Sequence, residues 1–164
     1  MIVRPEEPED RGPALEVERS AFGSAEEPAI VEALRDGAGS FALVAEVAGE
    51  VVGHVQFSRA WVGETEALAL GPMAVRPDRQ GKGIGAALVR GGLEVAAERG
   101  ETTVIVVGDA GYYGRFGFRP ASSFGVPVPF PEVPEDDFML AHLGGEGSAP
   151  TGAVRYHPAF GQAG

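Results

Sequence analysis

Three glycines at alternate positions, Gly81, Gly83 and Gly85, stand where an extended segment ending at Val75 gives way to an amphipathic stretch beginning at Ile84. This pattern suits an anion. Residues without Cβ atoms let a ligand approach the backbone, and the first N–H groups of a helix have no intrahelical acceptor. Those donors and the positive end of the helix dipole are worth ~0.3–2 kcal/mol per favourable charge interaction, so several together can seat a pyrophosphate. Arg76, Arg79 and Lys82 gather positive charge here, in a chain with 13 Lys+Arg against 24 Asp+Glu. They form an island of attraction for phosphates. The plain alternative is a tight strand-to-helix turn with solvated charges. A nucleotide-triphosphatase loop is excluded, because Gly83 follows Lys82 where a magnesium-binding hydroxyl is needed. The dinucleotide pattern is a closer rival: Gly81-x-Gly83-x-x-Ala86 fits its spacing, and Asp109 closes the next strand. Against it, an extended turn separates Val75 from Gly81, and too little chain follows for a second mononucleotide half.

The elements that must hold this turn can be read from periodicity. Ile2 to Arg4 is a short strand, and Pro8 to Phe22 a helix whose first turns Pro13 disturbs. A second helix starts near Glu26 and is expected to stop at Gly37 in a left-handed cap. Phe41–Val47 and Val51–Ser58 bracket Ala48-Gly49-Glu50, the layout of an antiparallel hairpin. Ala67–Val75 is a strand interrupted by Gly71-Pro72, which predicts a bulge or a departure from its neighbour. Ile84, Ala87, Leu88, Gly91 and Val95 share one face of a helix ended by Gly100, and Thr102–Val107 reads as a strand covered on both faces. From Pro120 to Gly164 the chain is loop-rich with late strands. There, Glu135-Asp136-Asp137 is either solvated surface or an acidic wall favouring a cationic acceptor.

Composition narrows the field. The 164 residues fit one domain, 1–164. A formal charge of −11 argues against nucleic acid as a partner, and zero cysteines exclude disulfides and thiolate metal sites. Histidines at 54, 142 and 157 show no ligand spacing, so no metal is expected. No apolar run reaches a bilayer span, and the acidic start, Met1-Ile2-Val3-Arg4-Pro5-Glu6-Glu7, is unlike a secretory signal, so no membrane association and a cytoplasmic location are expected.

The run Val75-x-Pro77-x-x-Gln80-Gly81-x-Gly83-Ile84-Gly85 resembles the acetyl-CoA motif of the GNAT superfamily of N-acetyltransferases, Arg/Gln-x-x-Gly-x-Gly/Ala. Downstream, Tyr112-Tyr113-Gly114-Arg115-Phe116-Gly117-Phe118 is similar to the family's Tyr-x-x-x-Gly-Phe signature, and the order of elements agrees over residues 1 to 120. The tail, with Val-Pro-Phe and Phe138-Met139, is similar to a subset of small bacterial members. The resemblance implies an α/β (α+β) fold with a mixed, mostly antiparallel sheet, splayed central strands and flanking helices. It implies acetyl-CoA as co-substrate and direct acetyl transfer to a primary amine, on a small molecule or a peptide. Met73, Ala74 and Val75 would pair with the pantetheine arm through their backbone, and Gln80, Gly81, Lys82, Gly83, Ile84, Gly85 and Ala86 would wrap the pyrophosphate. Asp109 is carried as a further cofactor-binding candidate. A homodimer is the common prior for such an enzyme. An NAD(P)-binding oxidoreductase and a non-catalytic CoA-binding sensor remain the alternatives.

By the same resemblance Tyr113 is the general acid for the departing thiolate, Tyr112 packs beside it, and Phe116 and Phe118 belong to the core. No general base is evident. The family's carboxylate on the bulged strand is replaced by Leu68-Ala69-Leu70, which leaves Glu64, Glu66, His54 and His142 as weak substitutes. An amine that arrives neutral would need none.

Overall fold

A computed structural model describes residues 1–144 and 148–161. The strands are β1 (Ile2–Pro5), β2 (Phe41–Val47), β3 (Glu50–Val62), β4 (Thr65–Val75), β5 (Thr103–Val107), β6 (Arg119–Pro120), β7 (Phe138–His142) and β8 (Val154–Arg155). The helices are α1 (Arg11–Phe22), α2 (Glu26–Leu34), α3 (Ile84–Glu98), α4 (Ala110–Tyr113) and α5 (Pro158–Gly161). Hydrogen bonding orders the eight-stranded sheet β1-β2-β3-β4-β5-β7-β6, with β8 on β3. Only β4 with β5 is parallel among the ladders whose register is resolved, as expected for a mixed, mostly antiparallel sheet. The chain divides into two compact units, 1–58 with 70–94 and 59–69 with 95–164, and β3, β4 and α3 run through both.

In the first unit, β1, β2 and the start of β3 form a ladder covered by α3. The close approach of helix to sheet depends on missing side chains. A Cβ on Gly53 would lie 3.0 Å from Ile84 Cγ2 and Leu88 Cδ1, and one on Gly91 3.2 Å from Val3 Cγ1. One on Gly92 would fall well inside contact with the Phe57 ring, itself stacked on Phe41 at 4.7 Å. Ala48 and Gly49, with φ of 52° and 80°, supply the two left-handed residues of a tight hairpin turn.

Two helix ends differ from the sequence reading. The segment Pro8–Asp10 is a 3-10 turn, and α1 proper begins at Arg11, which puts Pro13 in the first turn, where its missing N–H costs little. The left-handed cap occurs at Gly23 after α1 (φ 69°), whereas α2 ends at Leu34 with Arg35 still helical, so Gly37 is not a cap of that kind.

The second unit holds the parallel ladder, Leu68↔Val104 and Ala69↔Ile105, which lies upstream of Gly71-Pro72. Gly71 has φ 135° and its peptide bond to Pro72 is cis. Strand β3 extends to Val62, past the expected end at Ser58, because Arg59 is held by both oxygens of Glu101 at 2.8 Å and by Ala67 O at 3.0 Å. Beyond it the Arg155 guanidinium lies 4.8 Å over the Trp61 ring.

The tail contributes to the core. β7 pairs with β5 over five residues, from Thr103↔His142 to Val107↔Phe138. Its Phe138 and Leu140 join Ala60, Val62, Ile105 and Val126 in one buried cluster. The acidic run Glu135–Asp137 is a 3-10 turn before that strand, with Glu135 and Asp136 exposed and Asp137 half-buried. Residues 145–147 and 162–164 of the expected tail lie outside the described residues.

Candidate functional site

The cradle is built in the first unit. After β4, the backbone turns through Pro77–Arg79, and Gln80 returns its side-chain amide to Val75 O at 2.9 Å, tying the loop to the strand end. Gly81 and Gly83 have φ of 76° and 83°, a conformation that L side chains rarely adopt, and a Cβ on either would meet nothing within 4 Å. Both glycines are therefore set by backbone conformation, and the space beside them is open to a ligand. Ala87 N bonds Gly83 O at 3.1 Å, which leaves the N–H groups of Ile84, Gly85 and Ala86 without an intrahelical acceptor. Ile84 is buried and anchors the helix start, while Lys82 is exposed. These residues fit a pyrophosphate.

The basic island is smaller than the sequence implies. Arg76 is engaged by Asp78, with Nε 2.7 Å from Oδ1 and Nη2 3.1 Å from Oδ2, and it lies 3.7 Å from Glu50. Its charge is partly spent inside the protein. Met73, Ala74 and Val75 form the end of β4, past the residues that register with β5, and Ala74 is buried.

The second unit positions Tyr113. Asp109 is the N-cap of α4: its Oδ1 accepts from Tyr112 N at 3.0 Å, and its backbone carbonyl accepts from Tyr113 N at 3.0 Å. A capping aspartate is what the geometry supports for this residue. The Tyr113 ring lies edge-on to Tyr112 at 5.0 Å, Phe118 at 5.8 Å and Phe116 at 6.3 Å. Burial, with Tyr112 beside it, pushes its phenol up to about 12. Such a phenol stays protonated and available as a donor. Phe118 is buried as expected; Phe116 is half-buried.

Sequence reasoning missed Gly108. A Cβ there would sit well inside contact with Tyr113 Cε2 and 2.8 Å from Cδ2, so the ring occupies the room that this glycine leaves. The only signal was a glycine between a buried strand and a capping aspartate.

The structure places the four substitute bases on different elements. His142 pairs with Thr103 at the start of β5, whereas Tyr113 follows the end of that strand, about 13 Å further along at ~3.3 Å per residue. Glu66 is two-thirds exposed and 3.9 Å from Arg59, and it precedes Leu68, which is level with Val104 near the same early end. Glu64 is exposed in the β3–β4 turn. His54, in the first unit, has no solvent exposure: Nδ1 lies 2.6 Å from Glu18 Oε2, and Nε2 lies 3.4 Å from Glu6 Oε2. Burial works against its proton, but the two carboxylates outweigh it and raise the imidazole above its ordinary value. Glu6 is pushed up by burial and brought below its ordinary range by His54 and Arg35. Burial dominates at Glu18 and raises it.

Known proteins align with this arrangement along nearly the whole chain. The profile described as Acetyltransferase (GNAT) family matches residues 8–118. The uncharacterized N-acetyltransferase YjhQ of Escherichia coli K12 is 37% identical over 157 residues, covering 89% of this chain and 86% of its own. The crystal structure of the E. coli GNAT family N-acetyltransferase YhbS in complex with CoA superposes with a TM-score of 0.88 at 31% identity, covering 99% of this chain and 93% of that one. A GNAT family acetyltransferase from Brucella melitensis in complex with acetyl-CoA gives a TM-score of 0.80 at 35% identity, with 97% of both chains covered. The glycine cradle and the Tyr113 segment thus stand on a fold shared with N-acetyltransferases, and the chain belongs to the acetyltransferase (GNAT) family.

Proposed function

We propose that this protein is an acetyl-CoA-dependent N-acetyltransferase that moves the acetyl group directly to a primary amine, and that residues 1–164 act as one catalytic domain in the cytoplasm. The observation that carries the reading is the cradle: left-handed Gly81 and Gly83 before three helix N–H groups without intrahelical acceptors. The bound complexes of the similar structures, with CoA and with acetyl-CoA, support it.

Acetyl-CoA supplies the activated acyl group as a thioester. In the reaction the acyl–sulfur bond breaks, an acyl–nitrogen bond forms, and the proton lost by the amine ends on the sulfur. Gln80 to Ala86 hold the diphosphate, and Met73 to Val75 offer backbone groups to the pantetheine amides. Tyr113 donates to the departing sulfur. A free thiol ionises near 8.5, below a phenol at about 12, so Tyr113 acts as a hydrogen-bond donor whose proton moves only as the amine gives up its own. Covalent catalysis is not required, and the nucleophile must reach the thioester neutral.

Calorimetry with CoA, NAD and NADP separates the cofactor classes. Binding of CoA alone is expected, and binding of a nicotinamide cofactor alone overturns the reading. A thiol-release assay over polyamines, amino acids, aminoglycosides and peptides then tests turnover; silence across the panel, with CoA bound, favours a sensor.

A further inference from the structure

The segment that carries Tyr113 also contains two charged side chains to which the transfer chemistry gives no task. Asp109 and Arg115 flank α4, and both are exposed. Helix α4 is a single turn, Ala110–Tyr113, and one turn has too few hydrogen bonds to offset the ordering of its residues, so groups outside it must hold it. The sequence supplies them at both ends.

The peptide between Tyr112 and Tyr113 is gripped on both sides. Its carbonyl, Tyr112 O, accepts from Arg115 Nε at 3.3 Å, and its N–H, on Tyr113, donates to Asp109 O at 3.0 Å. One residue earlier, Tyr112 N donates to Asp109 Oδ1 at 3.0 Å. A Cβ on Gly111 would lie 3.0 Å from that same carboxylate oxygen, so the cap uses room that this glycine leaves. A planar peptide held at its oxygen and at its N–H has a fixed orientation, and that plane sets the direction in which the Tyr113 side chain leaves the backbone.

Arg115 acts on the rings as well. Its guanidinium lies 4.7 Å from the centre of the Tyr112 ring and 5.0 Å from that of Phe116. Those two rings are 5.4 Å apart, and both are walls of the Tyr113 ring, at 5.0 and 6.3 Å. A flat, permanently charged guanidinium is attracted to both rings, and the compact ammonium of a lysine does not reproduce that contact. Asp109 before the turn and Arg115 after it also match the signs of its dipole.

We propose that Arg115, acting with Asp109, is a positioning residue that fixes the Tyr113 phenol for its donation to the departing sulfur. This rests on the acetyltransferase reading and on the place of Tyr113 in it. Both side chains are exposed, so their removal loosens the ring without emptying buried space.

The test uses the full chain with Asp109→Ala, Asp109→Asn, Arg115→Met and Arg115→Lys, each alone and combined with Tyr113→Phe. Thiol release is followed with acetyl-CoA and the most active acceptor of the amine panel, and CoA affinity by calorimetry. Alone, Asp109→Ala, Arg115→Met and Arg115→Lys should each lower kcat about tenfold or more, because a misplacement of about 1 Å costs on the order of 10²-fold. KM for acetyl-CoA and the affinity for CoA should stay within about twofold. Asp109→Asn keeps an oxygen for Tyr112 N and should restore most of the kcat lost in Asp109→Ala. Combined with Tyr113→Phe, the same changes should alter kcat by less than about twofold, since they act through the phenol. An equal loss with and without the phenol, an unchanged kcat, or a loss carried by CoA affinity overturns the positioning role. Nuclear Overhauser contacts between the Tyr113 and Phe118 rings, 5.8 Å apart between centres, read the placement without turnover. They should weaken in Arg115→Met and persist in Asp109→Asn; contacts of wild-type strength in Arg115→Met overturn the proposal even where no amine of the panel is acetylated. Wild-type kcat in Tyr113→Phe overturns instead the acid role on which the proposal rests, and failure to bind CoA overturns the acetyltransferase reading itself.

Discussion

Gly108→Ala isolates the placement of the Tyr113 ring from every other property of the site. Gly108 carries no left-handed backbone requirement, so alanine brings only its methyl group. That carbon would lie well inside contact with Tyr113 Cε2, 2.8 Å from Cδ2 and 3.4 Å from Cζ. Ordinary carbon contacts begin near 3.5 Å, so the ring must shift by about 1 Å or more. Tyr112, Phe116 and Phe118 surround it at 5.0 to 6.3 Å between ring centres and resist the shift. Misplacing a catalytic group by about 1 Å costs on the order of 10²-fold in rate, and overpacking costs about 1–3 kcal/mol in stability. Thiol-release kinetics should thus show kcat down about 10²-fold with the affinity for CoA near wild type. Urea unfolding should show the stability loss, and Gly108→Ala combined with Tyr113→Ala should recover part of it by removing the obstructing ring. Wild-type kcat and stability in Gly108→Ala would refute the positioning.

Gly83→Asn keeps a residue type that tolerates the left-handed conformation while placing a Cβ in the open space beside the cradle. Stability should hold, while calorimetry shows CoA binding weakened about 10- to 100-fold, the worth of one charge-assisted hydrogen bond. Tyr113→Phe should lower kcat by about 10²–10⁴-fold with little change in CoA affinity. Its pH consequence follows from the raised phenol: between about pH 10 and 12 the unfolded chain ionises this tyrosine and the folded protein does not, so stability falls as pH rises. Denaturant titrations should show a shallower fall in Tyr113→Phe, and an unchanged slope would contradict the burial. Gly92→Ala drives a methyl group into a Phe57 ring stacked on Phe41, and its cost of about 1–3 kcal/mol should outweigh the gain of about 1 kcal/mol in helix propensity. Unfolding curves decide the sign, and Phe57→Leu in the same chain should relieve it.

What could be read ahead of the structure was governed by the range of the interaction. The cradle was legible because its causes are local: glycine conformation and helix-end donors act within a few residues of Gly81 to Gly85. The short helix carrying Tyr113 came with a recognisable motif for the same reason. Strand β3 was read four residues short because the groups that hold Arg59 and Trp61, Glu101 and Arg155, lie 42 and 94 positions away in the chain. Tail strand β7 proved central, since five residues of β5 find their antiparallel partner only after an intervening stretch rich in proline. Arg76 was counted as ligand-attracting charge, and only the structure shows Asp78 folding back on it.

The burial of His54 on β3 was the least legible feature. His54 was carried as a substitute base because strand alternation cannot tell a wet face from one roofed by helices. Glu18 and Glu6 come from α1 and from the segment after β1, and only their convergence gives the buried imidazole two carboxylates, which raise it above its ordinary value. So placed, both ring nitrogens face carboxylates at a position without solvent exposure, and the imidazole ties α1 and the segment after β1 to β3.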